Sequence, residues 1–459
     1  MNFSRRDFAG LCALVVIVLL SRVPFLGAGY GAQYDAWRVA NAARHIAQTG
    51  EYEASRLPGN PVQEYACSLL WKGGPRALNA ASAVFGAAAV ALLGLVARQL
   101  GCRDWLLAGL ALAFTPVFYI GCVTSKDYTW ALSLVLGALL ACMKKRPVLA
   151  GILLGLATGC RLTSCAAGLP LLLVLLGDAP KKAWKQGVIF AGVSLCTAAA
   201  MFVPVFLKYG PGFFTFAHHL YPGWDVILQR GTVEVWGWTG LVGIGIALAG
   251  IAWRLARKER PDFSSELYHP AAWALAVAIY VGIYLKLPDL AGYLIPLLPF
   301  TILLLGRFSA RLAFVAFCVL AMVGSFVTFD QGKVVAGAIF QDHLERIKTS
   351  EGIDNFLAFT DRVPGHNVFV TGAWYPEIEN HYPDGNHGDS RYVYLLTGAE
   401  IEKCNESGET VYYATQAIRS FNFRVYGVDL AQHGALDMQA IFDQQKKAKD
   451  AALKAAGAN

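Results

Sequence analysis

The sequence predicts an all-α polytopic membrane domain of about eleven spanning helices, followed by a small α/β soluble domain. Three observations predict it. Charged residues make up only 15% of the 459, against 56% hydrophobic, where a soluble domain carries about a quarter charged. The mean hydropathy of +0.44 comes from discrete apolar runs long enough to cross a bilayer. After Asp330 the runs stop and short strand-like segments begin.

The apolar runs cover 8–27, 77–97, 105–122, 128–143, 148–160, 165–177, 187–207, 237–253, 270–286, 291–306 and 311–329. The pair 148–160 and 165–177 is short, and reads either as a tight hairpin or as one broken helix. The first run follows Arg5 and Arg6 and precedes Ser21, Arg22 and Pro24. That flank is a poor cleavage site, so the run reads as an uncleaved signal-anchor.

Lys and Arg placement sets the expected orientation. Clusters at Arg5/Arg6, Arg98/Arg103, Lys144–Arg146, Lys181/Lys182/Lys185, Arg254–Arg260 and Arg307/Arg311 fall in alternate loops, as cytoplasmic loops should. Opposite loops hold mostly single cations. The exception is the first outer loop, 28–75, with Arg38, Arg44, Arg56 and Lys72, and with Arg76 at its edge. The expectation is a multi-pass inner-membrane protein with its N-terminus cytoplasmic and its C-terminal domain extracytoplasmic. The net charge of +7 is spread over these loops and forms no basic arm, which argues against nucleic acid as a partner. Trp224, Trp236, Trp238 and Trp374 read as an interfacial belt, with sugar stacking as the sharper alternative.

The domains are expected at 1–330 and 331–459. Strands are expected at 368–370, 392–396, 411–413 and 423–426, with a frayed helix from Gln444. Ten cysteines form no CxxC pair, so zinc and redox motifs are absent. Cys67 and Cys404 read as two free thiols, with a disulfide between them as the alternative. Tyr382–Asp389 lacks the full acidic pattern of a calcium loop, and Asp384-Gly385 reads as a turn. His218-His219 are adjacent, which disfavours a shared metal.

The first outer loop contains Ala36–Gln48, with Val39, Ala43, Ile46 and Ala47 at helical spacing, as in an interfacial helix. Asp35 stands at its start. Asp favours the cap position, and an ionisable group at membrane depth is also a functional candidate.

Downstream, Ser55, Arg56, Pro58, Gly59, Pro61 and Glu64 form SR-x-PG-x-P-x-x-E. With Asp35, this element resembles the first outer loop of the GT-C superfamily of lipid-linked-sugar glycosyltransferases, including bacterial protein-mannosyltransferase and aminoarabinose-transferase types. Asn60 stands where the superfamily more often carries an aromatic. Thr124–Asp127, the glycine-rich GILLGLATGCRLTS at 151–164, and 286–300 with Lys286 and Tyr293 are similar to further elements of it. The likeness covers about residues 1–330.

The resemblance implies a sugar transferred from a polyprenyl-phosphate donor to a glycan, lipid or protein acceptor on the extracytoplasmic face, with inversion. It implies Asp35 as general base, and Arg56, Arg161, Lys286 and Tyr293 at the donor phosphate. Glu64 and Asp127 would contact acceptor or metal. It specifies no cofactor and leaves a divalent metal open. Each residue also has a bland role. Arg161 and Lys286 can snorkel from helix ends, Asp127 can cap the helix at Tyr128, and Glu64 can pair with Arg56 on a solvated loop. A transporter of lipid-linked glycans would need polar residues through mid-membrane, and the runs hold few. A non-catalytic assembly protein is the other alternative.

Overall fold

The computed structural model describes residues 4–177, 180–214, 221–258, 268–330 and 333–441. His218-His219 and the tail from Gln444 lie outside the described residues. The chain divides into two compact units: 1–32 with 42–346, and 33–41 with 347–459.

The first unit is helical. All eleven apolar runs fall largely on helices. Five helical segments are long and apolar enough to cross a membrane: Arg5–Phe25, Pro61–Gln99, Ala183–Phe214, Val233–Ala256 and Ala291–Phe308. Trp105–Ala113 and Pro116–Cys122 make a sixth if counted together, but they are bent by 70°. Pro116 stands in the first turn of the second piece, where its missing N–H breaks the ladder. By length and composition the chain is therefore a multi-pass membrane protein with five or six spans among the described residues, fewer than the eleven expected.

The ambiguous pair resolves as a hairpin. Pro147–Cys160 is one helix, and Leu162–Ala167 and Gly168–Leu176 return beside it. Lys145 Nζ donates to the carbonyls of Val174 (3.2 Å) and Leu175 (2.6 Å). A Cβ at Gly168 would stand 3.5 Å from Leu154.

The glycine spacing explains how this hairpin docks. Gly151, Gly155 and Gly159 recur every fourth residue, so they share one helical face. Side chains there would collide with Val193, Thr197 and Met201 at 2.8, 2.4 and 2.9 Å. Those three residues are also four apart, on the helix Pro180–Tyr209. Small residues at i and i+4 allow the close backbone approach that helices use inside membranes. A similar contact joins Val233–Ala256 to Arg311–Phe326, where Cβ atoms at Gly243 and Gly250 would meet Phe317 and Ala313.

Arg22 ends the first helix fully buried. Its guanidinium lies over the rings of Tyr119 (4.1 Å) and Phe114 (5.0 Å) and donates to the Ala113 carbonyl and to Ser21 Oγ. Of the belt tryptophans, Trp224 and Trp238 are exposed, Trp236 is buried, and Trp374 belongs to the second unit.

In the first outer loop, Tyr34–Thr49 is helical. Val39, Ala43 and Ile46 are buried in the protein rather than left open to lipid, and Ala47 is exposed. The helix starts at Tyr34, so Asp35 lies in its first turn and is not its cap.

In the second unit, five strands stand in the order β4-β5-β3-β6-β7: β3 is Asn367–Val370, β4 Asn386–His387, β5 Ser390–Val393, β6 Thr410–Tyr413 and β7 Leu436–Asp437. (β1, Val327–Asp330, and β2, Lys333–Ala336, form a separate antiparallel hairpin in the first unit.) β3 pairs parallel with β5 and β6, and β6 pairs parallel with β7. β3 is buried throughout, as a central parallel strand should be. Phe369 stacks on Tyr392 of β5 and Tyr412 of β6, with ring centres 5.5 and 5.2 Å apart.

The expected strand 423–426 is instead the last turn of helix Gln416–Tyr426. Thr415 caps its start and Gly427, at φ 70°, ends it. Capping at both ends overrides the β-propensity of Phe423, Val425 and Tyr426. Asp384-Gly385 turns as expected, with Asp384 at φ 65°. Cys67 and Cys404 are both free thiols, each buried within its own unit.

Two predictions follow from this packing. Gly155→Leu places a side chain where Thr197 stands, and overpacking of this kind costs about 1–3 kcal/mol. Thermal unfolding in detergent should show a lowered Tm, while Gly192→Leu, where a Cβ meets nothing within 4 Å, should leave it unchanged.

The second concerns Glu377, which is buried in the second unit and accepts a hydrogen bond from Ser350 Oγ at 2.6 Å. Burial, with Asp354 nearby, pushes its carboxyl up from 4.5 to about 7. The folded chain thus keeps a proton that the unfolded chain releases between pH 4.5 and 7, so stability falls as pH rises through that window. Hydrogen-exchange protection of β3 and β5 should decline from pH 5 to 7.5 in the natural protein, and much less in Glu377→Gln.

Candidate active site: a buried ion pair at a hairpin tip

Arg161 sits in the single extended residue between helix Pro147–Cys160 and the returning turn Leu162–Ala167, at φ −158° and ψ 114°. The glycine face of that helix fixes the hairpin, and the hairpin fixes Arg161. Its side chain is buried, and Nη1 donates to Asp127 Oδ2 at 2.7 Å. The two side chains are only 6% and 7% exposed.

Two tyrosines enclose the guanidinium: the Tyr128 ring centre is 4.3 Å away and that of Tyr293 4.5 Å. The rings meet edge to face, 6.4 Å apart. A cation over an aromatic face is attracted by the ring quadrupole, most strongly when desolvated. Gly292 makes the enclosure fit, because a Cβ there would come within 2.6 Å of the Tyr128 ring.

Asp127 occupies the cap position of helix Tyr128–Met143 but makes no side-chain capping bond. The cap role expected for it is replaced by the ion pair with Arg161. The segment before it is tied down by buried polar groups. Ser125 N donates to the Tyr30 carbonyl (2.9 Å) and Ser125 Oγ to Asn79 Oδ1 (2.7 Å). Asn79 Nδ2 donates onward to the carbonyls of Leu26 and Gly29, and Gln63 Nε2 to that of Ser125.

Glu64 is fully buried, not on a solvated loop. Its carboxylate accepts from Ser55 N (2.8 Å), Ser55 Oγ (2.5 Å), Tyr52 Oη (2.5 Å) and Asn60 N (3.0 Å). Burial and the adjacent Glu64 carboxylate hold the Tyr52 phenol far above its usual range, so it stays a donor. Glu64 thereby folds the segment 52–60 around itself. Gly59 is required in that turn: its φ is +88° and a Cβ would strike Tyr52 Oη at 2.5 Å. The Asn60 amide, oriented as a donor, meets the Cys160 carbonyl at 2.9 Å, which ties this loop to the residue before Arg161. Arg56, half-buried on the same loop, lies within electrostatic range of Arg161 and Tyr128.

Asp127, Arg161, Tyr293 and Arg56 are therefore brought together, with Glu64 shaping the loop that carries Arg56. Lys286 ends its helix exposed and makes no ion pair among the described residues. Asp35 belongs to the second unit. Its segment is gripped there by Asn41, which donates to the Pro376 carbonyl and Glu379 Oε2, both at 2.8 Å, and accepts from Asn380. Arg38 lies over Tyr34 and Tyr394, and Tyr394 also feels the Asp35 charge.

Sequence reasoning missed Tyr128 and Tyr280. Tyr128 directly follows Asp127, and Tyr280 is fully buried within electrostatic range of Arg161. Its adjacency to Asp127 was the readable signal for the first; a mid-helix tyrosine gives none. No group of three or more metal-ligating side chains occurs among the described residues.

These features define a polytopic helical membrane protein with a buried, aromatic-lined ion pair and an appended α/β unit. The whole chain is similar in fold to ArnT from Cupriavidus metallidurans. The crystal structure of ArnT bound to undecaprenyl phosphate matches with a TM-score of 0.58 at 12% identity, over 95% of this chain and 91% of ArnT. The apo state matches with a TM-score of 0.55 at 13% identity, over 95% and 90%. The chain thus shares the ArnT fold, with a helical membrane part followed by a small α/β part as expected; the count of eleven spans is not matched. No protein-family model matches the sequence, and no curated protein sequence matches it.

The ion pair yields a prediction. Removing one partner of a buried pair strands the other and costs about 3–5 kcal/mol. Asp127→Asn and Arg161→Met should each lower Tm, and the double variant should be less destabilised than the sum. Additive losses in the double-mutant cycle would mean that the two groups do not interact.

Proposed function

We propose that the chain is a membrane glycosyltransferase that moves a sugar from a polyprenyl-phosphate donor to an acceptor on the extracytoplasmic face, with inversion. The observation that carries this reading is the shared fold with ArnT, a protein crystallised with undecaprenyl phosphate, together with cationic and aromatic groups converging on Arg161.

In this reading the four shorter apolar helices and helix Tyr268–Lys286 complete eleven crossings of the inner membrane. The Lys/Arg clusters of alternate loops favour a cytoplasmic N-terminus, and an odd number of crossings then leaves the C-terminal region, 331–459, outside. Residues 1–330 carry the transferase, and its long outer loop is 28–75. A lipid-bound donor suits that face, because nucleotide sugars are not supplied there.

Asp35 takes the proton from the acceptor hydroxyl, and the oxygen attacks the anomeric carbon opposite the phosphate. The C–O bond to phosphate breaks, and polyprenyl phosphate leaves with the negative charge. Arg161 and Arg56 stabilise that charge, an effect often larger than that of the base. Arg suits the role because its planar fork bonds phosphate through two parallel donors. Tyr293 orients Arg161, and Lys286 meets the phosphate at headgroup level. Asp127 holds Arg161 in place until the anion arrives, and Glu64 acts through the loop it folds. A divalent metal and the acceptor class (glycan, lipid or protein) are left to experiment.

The test uses the full chain in nanodiscs with a panel of polyprenyl-phosphate sugars and a cell-envelope glycan extract, with released polyprenyl phosphate read by mass spectrometry. Extract-dependent release should fall by about 10²–10⁴-fold in Asp35→Asn. Translocation of labelled lipid-linked sugar across proteoliposomes without release would replace this reading with a transporter.

A further inference from the structure

The segment that follows helix Arg311–Phe326 has the polarity of a water-facing element turned inside out. In β1 and β2, Val327 pairs with Ala336 and Phe329 with Val334. Residues opposite each other in an antiparallel pair share a face, so these four make one apolar face. It is the more open of the two: Phe329 is 53% exposed and Val334 66%, while Thr328 and Val335 on the other face are half-buried. An antiparallel sheet in water turns its apolar face to the core and its polar face outward.

Helix Ala338–Thr360 begins the same way. Phe340 and Leu344, four residues apart on one stripe, are exposed. Arg346 is buried and pairs with Asp342 at 2.9 Å. Its Nη1 also donates to the Val123 carbonyl at 3.1 Å, so the charges face into the first unit and the apolar side chains face out. The Gly337 N–H donates to the Phe326 carbonyl at 2.8 Å and closes the base of the hairpin. The exposed rings of Phe326 and Phe340 stand 6.5 Å apart across that base.

We infer that this surface, from Phe326 to Leu344, is a foot seated in one leaflet of the bilayer, with phospholipid as its partner. Its position carries the choice of partner. Val233–Ala256 is long and apolar enough to span, and its start lies against the end of Arg311–Phe326. The Trp236 and Phe317 ring centres are 5.9 Å apart, and a Cβ at Gly237 would meet Gly324 at 3.2 Å. The hairpin therefore begins where a span ends. Val319, Val323 and Phe326 are exposed, and their spacing of four and then three residues puts them on one helix face. That lipid-facing stripe runs on without a break into Phe340.

The depth follows from the backbone. A two-stranded sheet leaves the N–H and C=O groups of its outer edges without ladder partners, and open edges do not face lipid within the hydrocarbon region. The hairpin thus lies at headgroup level, with Phe329, Val334, Phe340 and Leu344 entering the acyl boundary. Lys333, exposed on the hairpin, meets lipid phosphate while its stem stays on the apolar surface. Gln341 and Glu345, exposed beside Phe340 and Leu344, keep to water, as the polar face of an interfacial helix does. The inference needs only the membrane character of the first unit and does not depend on the transfer reaction proposed above.

The experiment is photocrosslinking of the full chain in nanodiscs of phosphatidylcholine and phosphatidylglycerol. Phe329, Val334 and Leu344 are replaced one at a time by p-benzoylphenylalanine; each is exposed, so folding is undisturbed. The same replacement at Val242, exposed on the span Val233–Ala256, is the reference for lipid contact. Intact-mass spectra of all three variants should gain the mass of one phospholipid, at a yield comparable to the reference, with attachment at the glycerol and upper acyl carbons. Lipid adducts at the reference alone would overturn the inference, as would linkage to a second copy of the chain in place of lipid. Attachment only deep along the acyl chains would contradict the headgroup depth. Sugar transfer is not read in this experiment, so its outcome is separate from that of the transferase assay.

Discussion

A charge buried in a membrane protein needs a partner, and Arg161 meets that requirement through Asp127. Desolvating a guanidinium costs several kcal/mol, repaid only by close pairing and good geometry. The surrounding structure supplies both. The glycine face of 147–160 seats the hairpin, the Asn79–Ser125 network sets the segment before Asp127, and Gly292 lets Tyr128 close over the cation. Glu64 folds the neighbouring loop and brings Arg56 within range. Arg161 is thereby held in a dry, aromatic setting.

Much of this was legible in the sequence. The glycine-rich stretch ending in Arg161, the SR-x-PG-x-P-x-x-E element and the Lys286–Tyr293 stretch each marked a residue of interest, and Arg56, Arg161 and Tyr293 do converge. What spacing could not give was connection. Whether 148–160 and 165–177 form a hairpin depends on contacts such as Lys145 with Val174 and Leu175. Asp127 read equally well as a cap or a site acid, because both roles need an acid before a helix. Only the position of Arg161 decides which bond forms.

The second unit shows the same limit. Phe423–Tyr426 has strand-like composition, but its fate is set by Thr415 and Gly427 at the two ends of a helix. The attachment of Asp35 to that unit rests on Asn41 meeting residues 335 and more positions later, and no local pattern reports such a pairing. Asp35, the base proposed above, is thus held within the α/β unit.

The central claim is that the hairpin tip around Arg161 receives the lipid phosphate. A photoactivatable polyprenyl phosphate, crosslinked to the full chain in nanodiscs and mapped by peptide mass spectrometry, tests it most directly. The account predicts label concentrated on the peptides bearing Arg56, Arg161 and Tyr293, competed by unlabelled polyprenyl phosphate. Label spread over lipid-facing helices without competition, or concentrated away from the tip, would contradict it.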